Sequence, residues 1–245
     1  MAIIDNKGNI RGKVGPTITR IVREKNIMQT TPRQHKKHEN TLKQAKTFGG
    51  ISKSAKKVRD VIQPFLGQRH DPYMYNRFNS IIANALKKNT TLSDEDKTLN
   101  KADMFELSGF DFNIDSLFRD SLLAPIQCEM IDDIHLEITV PSFSTMSDVL
   151  YPPTVNSSKL RLMIYEYQEL TDKPISHVVY TLDLDKNQEQ TKQQQWVQEI
   201  NNPDRLVMVV TELLFYSVDT DNSKILYNSK SFNPAAIVYV KPKKN

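Results

Sequence analysis

Glycine is scarce: the 245-residue chain has seven, and the last is Gly109. Later turns must be built by Asn, Asp and Pro, which bond their own backbone or fix φ. Cysteine is rarer still. The single Cys128 excludes an internal disulfide framework and any all-cysteine zinc site, and points to a reducing compartment or a virus particle assembled in one. No run approaches the roughly 18 apolar residues that a membrane span needs. The opening MAIIDNKGNIRGKVG has no apolar leader core. The expectation is a soluble, non-secreted protein, cytoplasmic or in a virion, with no membrane partner. Acidic residues are nearly missing from positions 1–90, which hold 5 Asp/Glu against 19 Lys/Arg, while the remainder holds 24 against 14.

What is present follows from that imbalance. A net charge of +4 conceals a first part at +14 and a remainder at −10. Such asymmetry predicts a basic docking region joined to an acidic body, and it allows both attraction within one chain and head-to-tail association between copies. Arg11, Lys13, Arg20, Arg23, Lys46, Lys53, Lys56 and Lys57 are the candidate contacts for an acidic protein surface or a polyanion. A solvated helix face is the alternative reading of any such charge run. No helix-turn-helix, zinc-finger or aromatic RNA-reading motif accompanies the charge, so sequence-specific readout is not expected.

Residues 10–30 read as short strands, Ile10–Val14, Thr17–Arg23 and Ile27–Thr30, with Glu24-Lys25-Asn26 as a three-residue hairpin loop. A lone hairpin is marginal in water and must lie against something. Thr31-Pro32-Arg33-Gln34 combines an N-cap threonine, proline at the first helical position and Gln three residues after the cap, a helix start. Phe48, Ile51, Ala55, Val58 and Ile62 then recur at helical spacing, with lysines opposite. Gly49-Gly50 predicts a bend, a close contact or a break, and Gly67 suits the residue past the helix end. Asp71-Pro72 announces a second helix with Met74, Phe78, Ile81, Ala85 and Leu86 on one face. The short connection makes the two helices an antiparallel hairpin.

From Asp103 onward the chain reads as short strands: Met104–Phe110, Ile126–Met130, Ile134–Val140, Lys159–Tyr167, Ile175–Leu184, Arg205–Val218 and Ile225–Val240, the last broken near Asn228–Pro234. Lys186–Asn202 reads as a loop or short helix with Trp196 tucked into the edge. The expected fold is α+β: a basic N-terminal β-hairpin and a helical hairpin followed by an antiparallel immunoglobulin-like β-sandwich. The domains would be 1–30, a basic arm; 31–90, the helical hairpin; 91–102, a linker; and 103–245, the sandwich.

Candidate chemistry is thin. His35 and His38 share a helix face, but Lys36 and Lys37 repel a cation and no third ligand is evident. Asp183-Leu184-Asp185-Lys186-Asn187 opens like a calcium loop, yet Gln188 stands where glycine is needed and Gln194 where a bidentate Glu belongs. Cys128 lies in an apolar strand, and His135 and His177 fall on strands without a surrounding motif. No catalytic residue, cofactor or metal is expected.

GKVG (Gly12–Gly15), a basic hairpin, the TPxQ helix start at Thr31, a second helix with Arg77 and the ending FNPAAIVYV (Phe232–Val240) together resemble an uncharacterised family found in Bacteroidetes bacteria and their mobile elements. The resemblance implies a basic extended start and a closing β-sandwich, and carries over no catalytic residue. The reading therefore expects a non-enzymatic structural protein of a large assembly, such as a phage virion or a tail or neck component. Its partners would be other subunits, copies of itself included. The alternative is a sequence-independent nucleic-acid-binding protein using residues 7–59.

Overall fold

The computed structural model describes residues 2–22, 25–31, 38–89, 98–167, 177–221 and 223–243, with only the backbone at 43, 44, 46 and 47. The chain divides into two compact units, residues 1–47 and 48–245. The division falls inside the long helix rather than at positions 30, 90 or 102.

The first unit is a four-stranded antiparallel meander of β1 (Ala2–Ile4), β2 (Ile10–Val14), β3 (Thr17–Val22) and β4 (Lys25–Thr30), in that order. The expected three-residue loop is corrected. Lys25 and Asn26 pair with Val22 and Ile21, so β4 begins two residues earlier than Ile27; positions 23 and 24 lie outside the described residues. Asp5 closes the first turn, accepting from the backbone amides of Lys7 and Asn9, an Asx arrangement that leaves the positive φ to Gly8. The proposed helix start lies at positions 31–34; Thr31 follows directly on β4, donating its amide to the Pro16 carbonyl, and positions 32–34 lie outside the described residues.

Helix α1 (Glu39–Leu66) runs through Gly49-Gly50 unbroken. No neighbouring atom lies within 4 Å of where a Cβ would stand at either glycine, so neither marks a close contact or a break. Ala55, Val58 and Ile62 are buried, but Phe48 is 57% exposed; the apolar stripe starts at Ile51. The helix ends in a Schellman turn, with the amides of Gln68 and Gly67 donating to the carbonyls of Gln63 and Pro64 and Gly67 at φ +56°. Helix α2 (Met74–Lys88) buries Met74, Phe78, Ile82, Ala85 and Leu86, with Ile82 rather than Ile81 pointing deepest. Burial of each large side chain contributes about 2 kcal/mol.

The helices share a core with one face of a five-stranded sheet. That sheet contains β7 (Ser157–Glu166), β8 (His177–Asp185), β10 (Val207–Val218), β11 (Lys224–Leu226) and β12 (Ala235–Val240), all antiparallel. Met163, Tyr165, Met208 and Val210 face the helices. Leu162, Ile164, Val207 and Val209 face the opposite way, onto Leu136, Ile138 and Val140 of a three-stranded sheet. This second sheet is β5 (Gln127–Met130), β6 (His135–Val140) and β9 (Gln194–Glu199), with β6 central. Three layers result: helices, large sheet, small sheet. A strand covered on both faces reads as a near-continuous apolar run, and VMVV in β10 does so.

Two expectations are corrected in this unit. Met104–Phe110 is not a strand but holds a single 3₁₀ turn, Phe105–Leu107; the chain then runs beside β12, Gly109 and Phe112 donating their amides to the carbonyls of Ile237 and Ala235 and Phe110 accepting from the Ile237 amide, with Asp111 opposite Ala236. Gln194–Glu199, expected as loop or helix, is β9. Its glutamines hid an alternation in which Trp196 turns inward and stacks on Tyr180 at 5.1 Å. Of the expected linker, positions 91–97 lie outside the described residues, while Leu99 and Ala102 are buried in the helix–sheet core. Short helical turns α3 (Phe118–Ser121) and α4 (Thr145–Asp148) plug the sides of the second core.

Candidate docking surfaces

In the first unit, pleating separates the residues into two unlike faces, because cross-strand partners share a face and neighbours along a strand do not. Pairing of Ile3 with Arg11, Lys13 with Ile18, Arg20 with Ile27 and Val22 with Lys25 puts Arg11, Lys13, Arg20 and Lys25 on one side. The opposite side carries Ala2, Ile4, Val14, Thr17, Thr19, Ile21, Met28 and Thr30, and no charge. Among the described residues of this sheet only Thr19 is buried. Ile4, Val14 and Met28 are 69%, 53% and 64% exposed.

The structure thus gathers Arg11, Lys13 and Arg20 from the predicted set. Arg11 lies 3.6 Å from Asp5 at the rim, and Arg20 reaches Gln29 at 3.5 Å. Lys25 completes the face; sequence reasoning missed it by placing it in a loop, although the alternation Lys25, Ile27, Gln29 was there to be read. Arg23 and the side chain of Lys46 lie outside the described residues. Lys53, Lys56 and Lys57 belong to the second unit, exposed along α1, with Lys56 paired to Asp60 at 2.5 Å. Arg59 is not part of that exposed row. It is 8% exposed, donates to the Asn79 side chain and lies over the Tyr75 ring at 4.9 Å; burial pulls its pKa down.

The second unit presents an acidic sheet face. The outward residues of the small sheet are Gln127 and Glu129 on β5, His135, Glu137 and Thr139 on β6, and Gln195, Val197 and Glu199 on β9. Glu129 stands directly opposite Glu137, and Glu137 opposite Val197. Like charges in direct cross-strand register destabilise a sheet by a few tenths to about 1 kcal/mol. At the turn, Asp132 accepts from the amides of Ile134 and His135 and pairs with His135 Nδ1 at 2.7 Å; these bonds, the side-chain one first, hold its carboxyl below the usual range.

Beside β5 opens a cleft of about 750 Å³ lined by Phe105, Cys128, Glu129, Tyr239 and Lys241 among others. Burial pushes the Cys128 thiol up to about 12, so it is protonated at neutral pH and a poor nucleophile. His135 turns to Asp132 instead of into this cleft. Among the described residues no group of three or more His, Cys, Asp and Glu is placed to hold a metal, and no helix is long and apolar enough to cross a membrane.

The most completely bonded polar cluster lies inside. Glu212 on β10 is fully buried and accepts from Arg69 at 3.0 Å, Asn233 at 3.0 Å and Arg161 at 3.0 Å. Arg161 also donates to the Phe65 carbonyl at 3.0 Å and lies over its ring at 4.3 Å. Burial pushes the Glu212 carboxyl up, and Arg69, Asn233 and Arg161 hold back the rise. Every oxygen of Glu212 is engaged by the protein itself, so the cluster ties the end of α1 to the sheet and offers no open coordination or proton-transfer position. Compared with protein-family models, with curated proteins and with solved structures, the chain finds no match.

Proposed function

We propose that the chain is a non-enzymatic structural component of a large assembly, of the kind that builds a phage virion, tail or neck, and that it docks through its basic N-terminal sheet and helix. One observation carries this reading: the first unit is a sheet with a cationic face, an uncharged face on which aliphatic side chains alternate with threonines and Asn26, and one buried side chain among its described residues. A sheet this thin gains little from its own burial and is stabilised by lying against a partner. The second unit is read as an immunoglobulin-like sandwich thickened by a helical layer, a reading supported by its wholly antiparallel pairing and by two sheets facing across one core.

Sedimentation velocity of the full chain tests the proposal. Concentration-dependent growth beyond the monomer at about 50 mM salt, reversed at several hundred millimolar, is the expected result. A chain that stays monomeric at every concentration and salt sinks it. The cationic face also suits a nucleic-acid backbone, which gives the second reading its footing. Tight, sequence-indifferent binding of DNA and RNA, lost steeply between about 50 and 200 mM salt, would favour that reading.

A further inference from the structure

The charged faces of the two units complement each other in sign, in strand geometry and in their apolar content. On the first unit, Arg11 and Lys13 lie two residues apart on β2, with Arg20 on β3 and Lys25 on β4. Ile18, Val22 and Ile27 lie between them. On the second, Glu129, Glu137 and Glu199 come from three adjacent strands, with Val197 between and Ile131 and Ile134 at the margin, 50%, 54% and 38% exposed. Both sheets repeat side chains about 7 Å apart along a strand and about 5 Å across strands. Charges on one can therefore meet charges on the other in register.

The acidic face also carries its own reason to seek cations. Glu129 and Glu137 oppose each other across strands, and among the described residues no ion pair engages Glu129, Glu137 or Glu199. Lys241 and Lys243, which line the adjoining cleft, donate to the carbonyls of Pro203 and Asp204. Among the described residues of the cationic face, only Arg11 has an ion pair, with Asp5.

Resting on the assembly reading above, we propose that the occupant of the cationic face of β2–β4 is a second copy of this chain, seated on the acidic outer face of its β5–β6–β9 sheet. The contact is heterologous. Each copy brings one face of each kind, so a docked pair still has one free cationic face and one free acidic face, and growth continues into a ring or a filament.

Charge reversal with mixing tests this on the full chain. One variant carries Arg11→Glu, Lys13→Glu and Arg20→Glu; the other carries Glu129→Lys, Glu137→Lys and Glu199→Lys. Each alone presents two faces of the same sign, and its self-association weakens by on the order of 100-fold or more. Mixed in equal amounts they regain it, because each face again finds its opposite. Circular dichroism of each variant checks that the fold is kept, and Glu→Gln and Arg→Gln versions replace any reversal that unfolds. Wild-type assembly with unchanged self-association of the variants, or a mixture that stays dissociated, overturns the docking geometry while leaving the assembly reading in place. A wild type that never assembles removes both. Wild-type chains held together only by added nucleic acid also overturn the proposal.

Discussion

Glu212 shows how a single residue decides what the middle of this molecule is for. A buried carboxylate beside two guanidiniums is the arrangement in which an active site is often sought, yet its oxygens are spent on Arg69, Arg161 and Asn233. Asn233 in turn donates to the Arg69 carbonyl and accepts from Asn228, so the cluster closes on itself. Replacing Glu212 by alanine strands two cations at the helix–sheet boundary. The expected loss is about 3–5 kcal/mol of unfolding free energy, read by urea denaturation; a loss below about 1 kcal/mol would show that the cluster is not the tie described. None of its members is conspicuous in the sequence. Glu212 interrupts an apolar strand, which is the one local sign of a buried charge needing partners, but the partners lie 143, 51 and 21 residues away, distances that no periodicity reveals.

At the scale of the element, what could be read was whatever has a local cause. Asp71 makes the turn before α2, although the helix starts at Met74 with Tyr73 as its cap. The Gly67 terminus and the apolar spacing of both helices, Phe48 and Ile81 excepted, follow from bonds and contacts within a few residues, and they stand where the sequence placed them. The 3₁₀ turn at Phe105 and strand β9 do not. MFELSGF has the composition of a strand and is bent by its place against α2 and β12, whereas QQWVQE has the composition of a loop and is recruited into a sheet by β6. Of the cationic face, β2 and β3 were legible and the start of β4 was not, because Lys25-Asn26 has turn chemistry and only the pairing with Val22 and Ile21 makes it strand. Gly67 allows a test at this scale. Its φ is +56°, and a Cβ would stand 2.3 Å from the Arg69 guanidinium. Gly67→Ala therefore costs about 1 kcal/mol in backbone conformation and also pushes Arg69 off Glu212. Thermal unfolding of the double variant with Glu212→Ala should show less than the sum of the two single losses, since both break the same bond. Full additivity would show that Arg69 moves aside without cost.

For the whole second unit, the governing fact is that β7 and β10 form a wall common to two cores. Truncation on either side should weaken both. Phe78→Ala on the helix side and Ile138→Ala on the small-sheet side are each expected to cost about 3 kcal/mol. Each should speed amide exchange across β7 and β10, as well as in the layer on the far side, by a similar factor. Hydrogen exchange confined to the mutated layer would mean that the layers open separately. The charge division that is legible from a simple count also finds its place at this scale: the cations of the first unit and the carboxylates of the small sheet are each laid out by strand register, which composition cannot supply.

The common wall also bears on the order in which the chain is made. Helices α1 and α2 emerge before the sheet they pack on, with Ala55, Val58, Ile62, Phe78 and Ile82 needing cover, yet β10 begins only at Val207 and β12 ends at Val240. Through most of synthesis the apolar side of the helical pair has no sheet to lie on. The core can close only after Val240 has left the ribosome, so the nascent helices depend on chaperone shielding until then, in a way that a domain whose core is built from neighbouring elements would not.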